Sequence, residues 1–271
     1  MPELPEVETV RQTLRNLIIG KEITEVLVFH KNIVESDLDE FTQKLVGQVF
    51  TEVERVGKYL IFELSDYELI SHLRMEGKYF LTSEYEKTKH DHVIFAFKDG
   101  SYLKYNDTRK FGKMSLVDKG MASTSKQISK LGYEPFDQRL NKEDLFLRLQ
   151  RTQRPIKTSL LDQTIIAGLG NIYVDEVLFM SKIDPRSPSN DLSIKECQII
   201  IENAIIVLDK AIHLGGTTIH SYESSEGVTG LFQNQLLVHT KVGEDCPICK
   251  TTIEKIKVGG RGTYYCKNCQ K

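Results

Sequence analysis

Apolar residues recur at Leu4, Val7, Val10, Leu14, Leu17 and Ile18, the three–four spacing of one helical face. Pro2 and Pro5 fall at or before the first turn, where a missing N–H costs little, and Glu3 and Glu6 suit the positive end of a helix. The pattern predicts a helix over about 3–18. The period then shortens. EITEVLVFH (22–30), QVFTEVERV (48–56), YLIFEL (59–64), ELISHLR (68–74), KYFLT (78–82), HVIFAFK (92–98), SYLKYN (101–106) and GKMSLV (112–117) read as strands, with Asp99-Gly100 as a hairpin signal. DLDEFTQKLV reads as a helix between the first two strands. Beyond LGYEPFD (131–137) the pattern becomes helical in NKEDLFLRLQR (141–151), TSLLDQT (158–164), IYVDEVLFMS (172–181) and LSIKECQIIIENAIIVLDKAIHL (192–214). GGTTIHSYESSEGVTG (215–230) reads as a loop, and no internal repeat or low-complexity segment is present. The expected class is α+β, with an N-terminal β-sandwich flanked by helices and a helical C-terminal part.

Composition narrows this picture. A length of 271 residues exceeds one average domain. No apolar run approaches the ~20 residues of a membrane span, and the start lacks the basic and apolar regions of a signal peptide. A cytoplasmic, membrane-free protein is expected. The net charge of −2 and pI of about 6.4 argue against a nucleic-acid partner taken alone, but the charge is segregated. Arg148, Arg151, Arg154 and Lys157 form a run with no acid, Lys104–Lys113 holds four bases against Asp107, and seven bases follow from Lys241 onward against Glu244, Asp245 and Glu254. Each run alone is as readily a solvated face.

Four of the five cysteines lie near the end as Cys246-Pro-Ile-Cys249, sixteen residues, then Cys266-Lys-Asn-Cys269. This spacing is that of a four-thiolate zinc site, filled by protein ligands and therefore structural. A segment this short has no core of its own, so the metal contributes its folding energy. Redox cysteines are the competing reading. Between the knuckles, Ile253, Ile256 and Val258, then GGRG, then Thr263, Tyr264 and Tyr265 predict a two-stranded ribbon with Arg261 at its tip. An arginine there is a five-donor probe, or a plain solvated turn residue.

Two further stretches carry chemistry. Ala167-Gly-Leu-Gly-Asn171-Ile-Tyr173 joins two short helices, and Asn171 reads as the N-cap of the second. The amides at that helix start suit a phosphate, with Lys157 adding charge, although a glycine-rich connector looks the same. At the N-terminus, removal of Met1 would free the Pro2 secondary amine. An α-amino group has a pKa near ~7.7–8.0, so unprotonated nucleophile is present at neutral pH. Amines attack masked carbonyl carbons to give iminium species, and the adjacent Glu3 or Glu6 can move protons. A proline-started helix with dipole-complementing acids is the plainer reading of the same residues.

MPELPEVE, RVGKYLIFEL (55–64), HLRMEGKY (72–79), KHDHV (89–93), DTRKFG (107–112), AGLGNIYVDE (167–176) and the cysteine ribbon together resemble the bacterial formamidopyrimidine-DNA glycosylase (Fpg/MutM) family, along the whole chain and in motif order. The resemblance implies three domains: a catalytic β-sandwich at 1–133, a helix–two-turn–helix domain at 134–236 and a zinc-binding β-hairpin finger at 237–271. It implies excision of oxidised purines (8-oxoguanine opposite cytosine, formamidopyrimidines) through a Pro2 iminium, then strand cleavage by β,δ-elimination. Glu3 matches the proton-transfer residue, Glu6 a supporting acid, Lys58 a proton donor and phosphate contact, and Arg261 a finger residue of the δ step. Damaged bases must be flipped out of the duplex. Met75, Arg109 and Phe111 match the residues that fill the gap, and their types suit an insertion into the stack. His72, His90, Arg151, Arg154, Lys157, Asn171 and Tyr173 match or flank DNA contacts. The loop SYESSEGVTG, with Glu223 and Glu226, corresponds to the family's lid, and Cys197 reads as a buried helical residue. A metal reading of His90-Asp91-His92 competes with DNA contact. The partners implied are damaged double-stranded DNA and one structural zinc, with no small-molecule cofactor, for a monomer of the bacterial nucleoid.

Two other functions share these motifs. A non-catalytic zinc-dependent damage sensor needs the finger and basic runs but no free Pro2 amine. An endonuclease VIII-like pyrimidine glycosylase is the third, although that branch typically has glycine where Leu4 stands here.

Overall fold

The structure, a computed structural model, describes residues 1–217 and 230–271. The chain forms two compact units, Met1–Ser129 with Gly215–Gly230, and Lys130–Leu214 with Leu231–Lys271. The four-cysteine segment thus groups with the helices, and the chain around residue 216 returns to the first unit.

The first unit opens with helix α1 (Leu4–Ile18), whose Leu4, Val7, Val10, Leu14 and Ile18 have no exposed surface. Strand β1 (Ile23–Val28) and helix α2 (Leu38–Leu45) follow. Asp37 starts α2 by accepting the Glu40 N–H at 2.9 Å. Seven strands complete the unit: β2 (Phe50–Val56), β3 (Tyr59–Leu64), β4 (Tyr67–His72), β5 (Lys78–Thr82), β6 (Asp91–Phe97), β7 (Tyr102–Asn106) and β8 (Lys113–Asp118). They build two antiparallel four-stranded sheets, ordered β1-β6-β7-β5 and β2-β3-β4-β8. All eight strands predicted from the sequence are present. One core of aliphatic and aromatic side chains lies between helix and sheets, with Phe50 edge-on to Phe62, Phe95 and Phe97.

The second unit contains α3 (Lys142–Leu149), α4 (Ile156–Leu160), α5 (Asn171–Ser181) and α6 (Ile194–His213). Asn141 caps α3, and Ser193 with Glu196 forms a reciprocal capping box at α6. Helix α4 is displaced from the predicted 158–164. Asp162 accepts the backbone and hydroxyl protons of Thr164 at 3.1 and 2.7 Å, an alternative to further helical bonds. Strands β9 (Glu254–Val258) and β10 (Arg261–Tyr265) form the ribbon.

Candidate functional site

The first unit gathers the N-terminal acids. Pro2 is buried, and Glu3 and Glu6 are 2 % and 4 % exposed. Glu6 lies one turn along α1 and folds back, its Oε2 accepting the Glu3 N–H at 2.8 Å. Its Oε1 accepts the Thr217 N–H at 2.8 Å and hydroxyl at 3.1 Å. Gly216, at φ +77°, passes so close that a Cβ there would stand 2.7 Å from Glu6 Oε1. The third acid has a different task. Glu8 binds Arg11 at 2.7 Å and Arg55 at 3.0 Å, clamping α1 to β2, and these guanidiniums with Gln12 outweigh burial to hold its carboxyl below the usual range. Lys58 sits in the two-residue turn between β2 and β3 and is 5 % exposed.

The next turn places the histidine. His72 ends β4, is paired with Tyr59 in the sheet, and meets that ring edge-on at 4.5 Å. Burial, then the nearby charges of Arg74 and Lys58, pull its pKa down to about 3. Its Nδ1 accepts the Arg74 N–H at 2.9 Å, so the neutral ring carries its proton on Nε2. His72 is thus a neutral donor and no cation at physiological pH. Met75 follows in the same loop, half-buried and outside the core, on chain that Arg74 turns with φ +56°.

Arg109 and Phe111 occupy the loop between β7 and β8. Both are exposed, Phe111 by 50 %, with the guanidinium 4.8 Å from the Phe111 ring centre. Asp107, with no exposed surface, organises this loop. Its carboxylate accepts the N–H groups of Arg109 at 2.9 Å, Phe111 at 2.9 Å and Gly112 at 2.8 Å. Sequence reasoning counted Asp107 only as an acid among bases. The usable signal was an aspartate two residues before a turn, where Asx geometry collects following amides. His90 is half-buried, and its carbonyl accepts the Asp107 N–H at 3.0 Å. His92 is buried with Nε2 on the Asp107 carbonyl at 2.8 Å, while Asp91 binds Thr88 and Asn106. Among the described residues the only metal-type cluster is the four cysteines, so the His-Asp-His metal reading falls.

In the second unit the four Sγ atoms lie within 4.8 Å of one another, with Cys246–Cys269 at 3.8 Å and Cys249–Cys266 at 3.5 Å. Disulfides need about 2.05 Å, whereas a tetrahedron of ~2.3 Å Zn–S bonds has edges near ~3.8 Å. The residues fit one structural zinc. Hydrogen bonds with Thr251 and Asn268 hold the Cys249 thiol down at about 5, whereas burial pushes the thiols of Cys266 and Cys269 up. Cys197 is buried in α6 and pushed up to about 11 by burial.

The ribbon turn is two residues, Gly259 at φ +55° and Gly260 at φ +80°, a left-handed pair that suits a tight hairpin. Arg261 is therefore the first residue of β10, opposite Val258, and not the tip itself; it is exposed.

Three expectations need correction. Lys157 has no exposed surface; its ammonium binds Asp175 at 2.7 Å and the Gly262 carbonyl at 2.9 Å. Tyr173 is equally buried, its ring 5.6 Å from that of Phe232. Neither side chain has surface to offer DNA. Asn171 is not the cap of α5: Gly170 takes that place, and the Asn171 amide donates to the Gly262 carbonyl at 3.1 Å. Asp175 was missed altogether. Beyond Lys157 it holds His239 Nδ1 at 2.7 Å and the Tyr264 N–H at 3.2 Å. The neighbouring Glu176 accepts the amides of Leu237, Val238 and His239, and burial pushes its carboxyl above the usual range. Arg151 and Arg154 are exposed around a cleft shared with Arg148, where Asp162 pairs with Arg154 at 3.0 Å. The lid segment with Glu223 and Glu226 lies outside the described residues.

The first unit is thus a β-sandwich with a buried acid pair behind its first residues, and the second a helical unit that carries a four-thiolate zinc-type ribbon. Family models agree along the chain: the formamidopyrimidine-DNA glycosylase N-terminal domain at residues 1–114, its H2TH domain at 131–223, and the zinc finger found in FPG and IleRS at 243–271. The formamidopyrimidine-DNA glycosylase of Lactobacillus helveticus is 48% identical over 272 residues, all of this chain and 99% of its own. That of Listeria innocua is 47% identical over the full length of both. Crystal structures of Lactococcus lactis Fpg superpose over both full chains: a point mutant with Fapy-dG-containing DNA at TM-score 0.94 and 42% identity, and a complex with abasic-site DNA at 0.92 and 41%. The chain belongs to the formamidopyrimidine-DNA glycosylase family, DNA-binding zinc-finger glycosylases of DNA repair.

Proposed function

We propose that the protein is a bifunctional DNA glycosylase and AP lyase of base excision repair that removes oxidised purines, 8-oxoguanine opposite cytosine and formamidopyrimidines among them. With Met1 attached the Pro2 nitrogen is an amide; its removal leaves a secondary amine. The nitrogen lone pair forms a bond to C1′ of the flipped nucleotide as the bond to the base breaks, and the base leaves with the electron pair of the broken bond and takes up a proton. Opening of the sugar gives an iminium between Pro2 and C1′. Loss of a C2′ proton expels the 3′ phosphate, and loss of a C4′ proton expels the 5′ phosphate. Glu3 moves protons beside the amine, and Glu6 holds the first turn in place. Lys58 serves as proton donor and phosphate contact, and Arg261 as the cation of the second elimination. Met75, Arg109 and Phe111 fill the vacated stack. His72, His90, Asn171, Arg151 and Arg154 contact the strand, Asn171 at the amides of the α5 start.

The observation that carries this reading is the pair of buried carboxylates directly behind Pro2, one of them ordering the chain turn at the nitrogen's own helix. Borohydride reduction with lesion-containing duplex should give a covalent protein–DNA adduct whose cross-link maps to Pro2, and Pro2→Gly should lose most of it. A cross-link at any other residue, or none, removes the iminium route; the absence of any adduct would favour a non-catalytic sensor. The reading also expects a monomer acting in the bacterial cytoplasm.

A further inference from the structure

Two loops leave the sandwich on the side of Met75 and Arg109, and one buried pair of side chains ties them together. Asp107 collects three amides of the 107–112 loop. Its Oδ2 also meets the Tyr105 hydroxyl at 3.4 Å, and that hydroxyl is wedged between two glycines. A Cβ on Gly112 would stand 1.6 Å from the Tyr105 oxygen, and one on Gly77 would stand 2.3 Å from it. Gly112 closes the loop of Arg109 and Phe111; Gly77 closes the loop of Met75. The rims of the loops are joined as well, Thr108 donating to Glu76. Tyr105 itself has no exposed surface and packs on Tyr79 at 5.1 Å, in the sandwich core.

We propose that Asp107 and Tyr105 are positioning residues for strand insertion: they set the two loops as one rigid part, so that Met75, Arg109 and Phe111 enter the duplex together when a nucleotide is flipped out. The functional half rests on the glycosylase reading above. The physical half does not. The carboxylate has acceptors on both oxygens for amides arriving from one short loop, and the hydroxyl sits where neither glycine can carry a side chain. A wedge made of an exposed phenyl ring and a cation needs such support, because an unsupported exposed ring folds back onto its own surface sooner than it parts stacked bases.

Asp107→Asn tests this. The asparagine keeps the shape but turns an NH2 group toward amides that need an acceptor. Hydrogen exchange in the free protein should accelerate by about tenfold or more at Arg109, Phe111 and Gly112 while β3 and β6 stay protected. On a duplex with 8-oxoguanine opposite cytosine, single-turnover excision should fall by about tenfold or more, as expected when reacting parts are misplaced. The preference for cytosine over adenine opposite the lesion should fall toward unity. Borohydride trapping on a single-stranded abasic oligonucleotide, which offers no opposite base, should change less than about twofold. Tyr105→Phe, which deletes only the hydroxyl, should accelerate exchange at Gly77 and Gly112 together. Unchanged exchange in both variants overturns the tie. Faster exchange with unchanged duplex excision and opposite-base preference overturns its role in insertion. If the wild-type protein excises and traps nothing, the enzyme reading falls, and the exchange results still decide the tie.

Discussion

The loop that carries Arg109 and the hairpin that carries Arg261 are both organised around a buried aspartate, yet by different means. Asp107 is surrounded by uncharged donors from its own next five residues and by Tyr105. Among the described residues no ion pair reaches it. Asp175 instead carries Lys157 and His239, each at 2.7 Å, and through them and Tyr264 N–H it grips β10, whose Gly262 carbonyl takes donors from Lys157 and Asn171. Sequence distance accounts for the contrast. Loop amides two to five residues away close around a carboxylate at little cost in chain entropy. The Tyr264 amide is 89 residues from Asp175, so the ribbon has to be held by a long-range, charge-assisted contact whose geometry offsets the desolvation of both ions.

The largest way to break this comparison is to remove the metal. The second arginine stands on a ribbon that zinc helps to fold, and the first does not. Chelation or Cys249→Ser should lower affinity for damaged duplex by at least about tenfold and release the exchange protection of β9 and β10, while β1–β8 stay protected. Loss of protection in the sandwich as well would mean that the two arginines share one support. A middle-sized effect is expected from Asp175→Ala, which leaves Lys157 buried without its carboxylate. It should cost about 3–5 kcal/mol in urea-monitored stability of the helical unit. Lys157→Met in the same background should recover part of that loss, since both ions are then gone. No recovery would mean that Asp175 acts through Tyr264 and His239 alone.

The last effect is one of pH, gradual and spread over several units, and it sharpens the contrast from the sandwich side. Unfolded, the His72 imidazole takes its proton near the ordinary 6.5; folded, it resists until about 3. The unfolded chain therefore binds more protons in that window. Stability from this group is complete above about 6.5 and declines as the pH falls toward 3, with a slope of at most ~1.4 kcal/mol per unit. His92, lowered chiefly by its burial, acts in the same direction. Urea midpoints between pH 4 and 7 should show a shallower slope in His72→Asn than in wild type. Equal slopes would remove His72 from the account.

What was legible in the sequence is what depends on near neighbours. YLIFEL and KYFLT are strands at the bounds their patterning implies, because β-branched and aromatic residues fit a half-buried pleat. The zinc ligands were legible because a C-x2-C knuckle is a local object, and the first helix because its apolar face repeats. Lys157 was misread because a lysine among arginines has the same local signature whether solvated or buried. Its state is decided by Asp175, 18 residues on, and by Gly262, 105 residues on. Tyr173 follows the same rule, its neighbour Phe232 coming from beyond α6. Asn171 lost the cap to Gly170 because the glycine adopts the extended backbone just before the helix while the asparagine amide reaches across to β10.

The contact between Glu6 and Thr217 joins residues 211 positions apart. During synthesis the ribosome will have released nearly the whole sandwich, and α3 to α6 after it, before the two donors of Thr217 reach that carboxylate. Until then the first helix lacks part of its anchoring at its N-terminal end. An enzyme acting on the nascent chain would meet residues 1–6 before this restraint has formed.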